Sequence, residues 1–267
     1  MKKIVFFDLD GTLLTTEKEV LKENYEAIKK ARENDIEVCI CTGRPISAAR
    51  TYQEMSGTGR YIICANGAEI YDIEEEEELF AAALEEEVCI KLFEYATQNN
   101  LFMRIDTKYG RYINNAEYKI LNDIVFDEDY KKFFKENKIL QFSIGSLDSN
   151  IIDKIENAVN ETGYMKVVSR FISSIIPVKL NVINIVNSSV SKGNAVNGLC
   201  KYLKIDLKDS IGFGDDYNDI TMLNTVGYGV AMGNASEDVK KIAKEVISNN
   251  DEPGIAEFLN KLILENS

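Results

Sequence analysis

Two aspartates one residue apart, Asp8 and Asp10, directly follow the apolar run Ile4-Val5-Phe6-Phe7, and Gly11-Thr12 come next. Four apolar residues in a row read as a strand buried on both faces. Carboxylates at the end of such a strand stand where open α/β sheets hold their ligands. There they can serve as a nucleophile, as an acid and base, or as metal ligands. Gly11 permits a sharp turn and the Thr12 hydroxyl can bond back to the loop, so a capped turn would use the same residue types. Three other segments share the form. Ile36-Glu37-Val38-Cys39-Ile40-Cys41 runs into Thr42-Gly43-Arg44-Pro45, and Tyr61-Ile62-Ile63-Cys64 runs towards Asn66-Gly67. Ser210-Ile211-Gly212-Phe213 runs into Gly214-Asp215-Asp216-Tyr217-Asn218-Asp219.

The chain has no histidine. That excludes Ser-His-Asp hydrolysis, histidine phosphotransfer and His-ligated zinc. Acid–base work near neutral pH then falls to a carboxylate, Lys, Tyr or Cys. A cysteine-phosphatase loop, C-x5-R, is also missing, since Cys39 precedes Arg44 by one residue too few.

These residues need a frame to bring them together. Helical patterns over 18–34, 45–55, 191–203 and 236–244 alternate with the apolar runs, which predicts a doubly wound α/β fold with a parallel sheet. Pro45 suits the first turn of its helix. The middle of the chain has a different rhythm. Helices are predicted over 85–99 and 150–162, with strands near 102–106, 111–114, 140–144, 165–171 and 178–186. We read this as an inserted α+β domain over 82–186, an antiparallel sheet with helices on one side, and assign 1–81 and 187–267 to the core. The five glutamates Glu74 to Glu78 suit a solvated turn or strand edge.

Composition narrows the partners. With 267 residues, 45% hydrophobic and 28% charged, the chain has the profile of an ordinary globular protein large enough for two cores. A net charge of −13 argues against nucleic acid and anionic membrane surfaces. The apolar runs are too short to span a bilayer, and the N-terminal one is cut at Asp8, which does not read as a signal peptide. Five cysteines without a C-x-x-C pair suit a reduced, cytoplasmic compartment.

Taken in order, the motifs resemble the haloacid dehalogenase-like superfamily, and within it the Cof-type phosphatases with an inserted type IIB cap. The residues that carry the resemblance are Asp8-Leu9-Asp10-Gly11-Thr12-Leu13-Leu14, Thr42-Gly43-Arg44-Pro45, Asn66-Gly67-Ala68, Ser191-Lys192-Gly193, Gly214-Asp215-Asp216-Tyr217-Asn218-Asp219 and Ala231-Met232-Gly233-Asn234-Ala235. The resemblance implies a Rossmann-like core and phosphate-ester hydrolysis through an aspartyl-phosphate. Asp8 is then the nucleophile and Asp10 the acid and base. The Leu9 and Gly43 N–H groups, Thr42, Lys192 and Asn218 would hold the phosphoryl oxygens. Asp8, the Asp10 main-chain oxygen and Asp215 would ligate a metal, with Asp219 and Arg44 behind them, Arg44 either orienting Asp219 or bracing its own loop. Four carboxylates and a phosphate, itself carrying about one to two negative charges, exceed what Lys192 can offset. Like charges ~4 Å apart repel by roughly 1 kcal/mol even in water. A divalent cation resolves this, and an all-oxygen donor set points to Mg²⁺.

The expected partner is a small phosphorylated metabolite such as a sugar phosphate, met by a monomer or weak homo-oligomer. Arg104, Tyr109, Arg111, Lys179 and Asn181 are polar candidates for leaving-group contacts in the insert; a solvated surface accounts for them equally. A sugar phosphomutase shares the phospho-Asp step, and a receiver-like signalling module shares the acidic doubly wound core.

Overall fold

The computed structural model describes residues 3–119, 123–126, 129–173 and 179–266. The chain divides into two compact units, Met1–Phe80 with Ser191–Ser267, and Ala81–Val190.

The first unit begins with β1 (Lys3–Phe7), α1 (Lys22–Glu33), β2 (Ile36–Cys41), α2 (Ile46–Ser56), β3 (Tyr61–Cys64), β4 (Glu69–Asp72) and β5 (Glu77–Ala81). The second unit carries α3 (Glu86–Gln98), β6 (Phe102–Thr107), β7 (Arg111–Ile113), β8 (Ile124–Val125), α4 (Tyr130–Glu136), β9 (Ile139–Ser146), α5 (Ser149–Glu161), β10 (Met165–Ser173) and β11 (Leu180–Asn187). The first unit resumes with α6 (Lys192–Leu203), β12 (Ser210–Gly214), α7 (Ile220–Thr225), β13 (Tyr228–Ala231), α8 (Glu237–Ile242), β14 (Glu245–Val246) and α9 (Gly254–Asn266).

Its sheet has the order β14-β13-β12-β1-β2-β3-β4-β5. All pairings from β14 to β3 are parallel, and β4 runs antiparallel to β3. The apolar run of β1 is explained by its position at the centre. Val5 and Phe7 join one core with α1 and α9, while Ile4 and Phe6 join a second core with α6 and α7. Both faces of the strand are covered, so alternation is lost. β2 divides in the same way, Val38 and Ile40 to one side, Cys39 and Cys41 to the other.

The second unit is a sheet of order β10-β11-β9-β6-β7-β8, antiparallel except for the β7–β8 pair. One face meets α3, α4 and α5 through Met103, Ile105, Phe142, Ile144, Ile183 and Ile185. Among the leaving-group candidates, Arg111 pairs with buried Asp106 at 3.0 Å, and Asn181 donates to the Ser146 and Leu147 carbonyls. Tyr109 is exposed. The predicted strand over 178–186 is seen from Leu180; its first residue, Val178, lies outside the described residues.

The first helix starts later than its pattern predicts. Lys18 has φ +64, and backbone bridges Asp10–Leu14 and Leu14–Val20 fold 10–20 into a flap before α1 begins at Lys22. The glutamate run spans the β4–β5 turn and the start of β5; Glu76 ion-pairs with Arg50, and Glu74 and Glu75 with Arg60. No helix of the described residues is long and apolar enough to cross a membrane. All five cysteines are free and buried.

Candidate active site

Strand register gathers the motifs at one edge of the first unit's sheet. Phe7 lies beside Phe213 on one side and Ile40 on the other. Asp8, Gly214-Asp215 and Thr42 therefore leave adjacent parallel strands at their carboxyl ends. The Asp8 N–H donates to the Phe213 carbonyl at 3.0 Å, which fixes the strand end. Gly11 has φ +83, and a Cβ there would collide with the Asp215 carboxylate. A glycine is required both for the turn and for that approach.

Lys192 is the centre of the cluster. At the first turn of α6 it is only 1% exposed, and its Nζ donates to Asp8 Oδ1 at 2.5 Å and to Asp219 Oδ1 at 2.6 Å. Burial works against its charge, but Asp219 and Asp8 outweigh it and hold the ammonium above its ordinary range. Asp219 is fully buried, and its other oxygen accepts from the Asp215 and Asp216 N–H groups at 2.9 and 3.1 Å. Thr12 Oγ1 donates to Asp215 Oδ1 at 2.7 Å. Exposed Asp216 caps the short turn at 217–219.

Carboxylate oxygens of Asp8, Asp215 and Asp219 lie within 4.8 Å of one another. Their mutual repulsion is visible in the acids themselves. Burial raises the Asp8 carboxyl well above the usual range, with Lys192 opposing and Asp219 and Asp215 adding to it. Burial and Asp219 push Asp215 up to about 7. Three oxygen donors with excess negative charge fit a hard divalent cation, which would lower both acids again. Asp219 belongs to this carboxylate cluster, with both of its oxygens already accepting N–H bonds.

Asp10 sits apart from this cluster. Arg44 grips its carboxylate with Nε to Oδ2 and Nη2 to Oδ1, both at 2.7 Å, and Lys18 adds a bond of 2.8 Å. Burial opposes the charge, but Arg44 and Lys18 draw the carboxyl down to about 2. Arg44 thus orients Asp10, not Asp219, and its guanidinium lies 4.5 Å over the Tyr52 ring. Thr42 does not cap α2; its Oγ1 accepts from the Arg44 N–H at 3.2 Å. Leu9 is fully buried, its carbonyl accepting from Thr12 and Leu14 N–H groups. Gly43 abuts Asn66, and the Asn218 Nδ2 donates to Asn66 Oδ1 at 2.9 Å.

Sequence patterns gave no sign of Lys18, which meets Asp10 only because the flap folds back. Nor do they show what holds the flap. Asn234 Nδ2 donates to the Gly11 carbonyl and Asn250 Nδ2 to the buried Leu14 carbonyl, both at 2.8 Å, while Asp251 accepts from the Thr16 N–H and hydroxyl. Removing a donor from a buried acceptor costs about 1–3 kcal/mol. Asn250→Ala is expected to cost that much, read as a lower urea midpoint at unchanged slope. An unaltered midpoint would remove Asn250 from the bracing role.

The raised Asp215 carboxyl sets a pH dependence. The folded protein holds a proton there that the unfolded chain releases near 3.8. Stability from this group is complete below that value and is lost as pH rises through about 7. Asp10, drawn down to about 2, changes only in acid and adds nothing to the slope near neutrality. Metal-free protein is expected to melt at a lower temperature at about pH 8 than at about pH 5, and a bound divalent cation to narrow the gap. A melting temperature that rises over this interval in chelator contradicts the assignment.

The haloacid dehalogenase-like hydrolase profile matches residues 5–259, nearly the whole chain. This chain is a haloacid dehalogenase-like hydrolase. Similar proteins align along the full length of the hydrolase. Phosphatase YwpJ of Bacillus subtilis is 29% identical over 98% of this chain and 100% of that protein. The B. subtilis 5-amino-6-(5-phospho-D-ribitylamino)uracil phosphatase YitU is 25% identical over 97% and 96%. Among solved structures, a haloacid dehalogenase-like hydrolase from B. subtilis superposes with a TM-score of 0.83 at 24% identity, covering 97% of this hydrolase and 99% of that chain, a likeness of fold. Kinship of this kind places the hydrolase in the class that cleaves phosphoric monoesters.

Proposed function

We propose that the hydrolase is a Mg²⁺-dependent phosphatase of small phosphorylated metabolites, acting through an aspartyl-phosphate on Asp8. The observation that carries this reading is the buried Asp8–Lys192–Asp219 chain beside Asp215. A lysine has three N–H donors, and two are used by Asp8 and Asp219, so one is left for a phosphoryl oxygen. Lys192 thereby opposes the rise of the Asp8 carboxyl and offers charge to the group that Asp8 attacks. Asp8, Asp215 and the Asp10 main-chain oxygen would hold Mg²⁺, with Asp219 behind them, and the ion, when bound, would neutralise developing charge on the phosphoryl oxygens.

Asp8 Oδ displaces the ester oxygen at phosphorus, giving phospho-Asp8 and an alcohol. Asp10 must then deliver a proton to the departing oxygen and afterwards take one from water. Its carboxylate starts ionised between Arg44 and Lys18, so the first role requires the grip to loosen and a proton to be taken up. Thr42, the Gly43 and Leu9 N–H groups and Asn218 hold the remaining phosphoryl oxygens. The unit Ala81–Val190 is the cap that selects the leaving group. Sugar and polyol phosphates are the favoured substrates, as the ribityl phosphate in the name of the relative YitU supports.

Phosphate release from a panel of phosphorylated sugars, polyols and nucleotides tests the reading. Chelation is expected to stop release and Mg²⁺ to restore it. Full turnover in excess chelator would overturn the metal requirement, and isomerised sugar phosphate without free phosphate would identify a mutase.

A further inference from the structure

Directly after β3 the backbone takes three left-handed residues in a row, Ala65 at φ +47, Asn66 at +61 and Gly67 at +98. Two of them carry a Cβ, and such residues adopt this region only where their surroundings impose it. Those surroundings are the loops of the site. The Ala65 N–H donates to the Arg44 carbonyl at 2.9 Å and the Asn66 N–H to the Thr42 carbonyl at 3.0 Å. At Gly67 a Cβ would run into the Ser191 carbonyl, immediately before Lys192. The Asn66 side chain is 1% exposed. Its Oδ1 accepts from Asn218 Nδ2 at 2.9 Å, and its carboxamide packs so closely on Gly43 that a Cβ there would lie 3.1 Å from both amide atoms.

One residue thus touches two of the four chain segments expected to grip the phosphoryl group, and its neighbour Gly67 touches a third. We propose that Asn66 is a positioning residue for phosphoryl transfer, which fixes the Asn218 carboxamide and the Gly43 N–H towards the phosphoryl oxygens. The logic is donor counting. A carboxamide nitrogen has two N–H bonds. Asn66 takes one from Asn218, which pins the plane of that amide and leaves the second N–H a single direction. The strained turn supplies the rigidity, because a side chain on a backbone held from both sides cannot drift with the ligand. Misplacement of about 1 Å in such a set can cost 10²-fold in rate.

This inference rests on the reading of Asn218 as a phosphoryl contact. Its test uses Asn66→Gly, which keeps the left-handed backbone without strain and removes only the carboxamide. Asn66→Gly, Asn218→Ala and the double variant are compared with the parent chain. The readouts are hydrolysis of p-nitrophenyl phosphate, affinity for inorganic phosphate with Mg²⁺ present, and melting temperature. Each single variant is expected to lose about 10–10²-fold in kcat/KM and to bind phosphate more weakly. Asn66→Gly should still melt cooperatively, and the double variant should lose clearly less than the product of the two single losses, because the Asn218 contact is shared. Losses that multiply in the double variant overturn the proposal, as does an Asn66→Gly protein with parental kinetics and phosphate affinity beside an impaired Asn218→Ala. A fully active Asn218→Ala would instead overturn the underlying reading of Asn218.

Discussion

Asp8→Asn is expected to abolish phosphate release, by about 10⁴-fold or more, while the protein folds as before. The carboxamide has nearly the shape of the carboxylate and can still accept from Lys192, so the contact at 2.5 Å has a neutral substitute. What disappears is the nucleophile, since an amide oxygen at that position does not form the acyl phosphate. Electrostatics predict a second result that a merely damaged site would not give. Asp8 lies in a crowd of three carboxylates served by one lysine. Removing one negative charge relieves repulsion with Asp215 and Asp219, so metal-free Asp8→Asn should melt at or above the parental temperature. An inactive variant with a markedly lower melting temperature would mean that the activity was lost through misfolding. Phosphate release at the parental rate would eliminate Asp8 as nucleophile.

Lys192→Met has the largest expected effect on stability. The methionine matches the length of the apolar stem but leaves buried Asp8 and Asp219 with no lysine counter-charge. Breaking a buried ion pair on one side costs about 3–5 kcal/mol. Loss of the only ammonium in the cluster should also lower kcat by roughly 10²–10³-fold, as for other fixed transition-state donors. The stability loss has a pH signature. Acid protonates the stranded carboxylates, so the deficit measured by urea unfolding should shrink from about pH 8 to about pH 5. A surface lysine would behave differently, with a change within about 0.5 kcal/mol at either pH. That smaller outcome would contradict the buried pairing.

The parts of this fold that were legible in the sequence are those where a local pattern and a buried position coincide. β1, β2, β3 and β12 are covered on both faces, so their apolar runs are continuous and their ends are marked by small polar residues. The same ends carry Asp8, Thr42 and Asp215, and register then places them side by side. Two-residue β14 and the six-residue helix α7 are too short to show a period, whereas the pattern over 236–244 does mark α8. The direction of Arg44 was not legible either. Asp10 and Asp219 are both acidic and both in the motifs, and only the flap, turned by Lys18 in a left-handed conformation, brings Asp10 under the guanidinium. The braces from Asn234, Asn250 and Asp251 cross more than two hundred residues to reach the flap, and contacts of that range leave no mark on local composition.

The central position of β1 has a consequence for how the chain is made. β1 leaves the ribosome well before one of its two neighbours, β12, which follows some two hundred residues later, and Lys192 is 184 residues behind Asp8. At elongation speeds of about 5–20 residues per second, that interval lasts roughly 10–40 s. During it the whole Ala81–Val190 unit emerges while Ile4–Phe7 presents an unpaired apolar strand edge. Such an edge is a template for wrong pairing and a binding site for chaperones. A nascent chain halted before Ser191 holds the nucleophile without its counter-cation and without three of the eight strands of the sheet that holds β1. Activity therefore waits for the residues after Ser191, which complete the sheet beside β1 and bring Lys192 to Asp8.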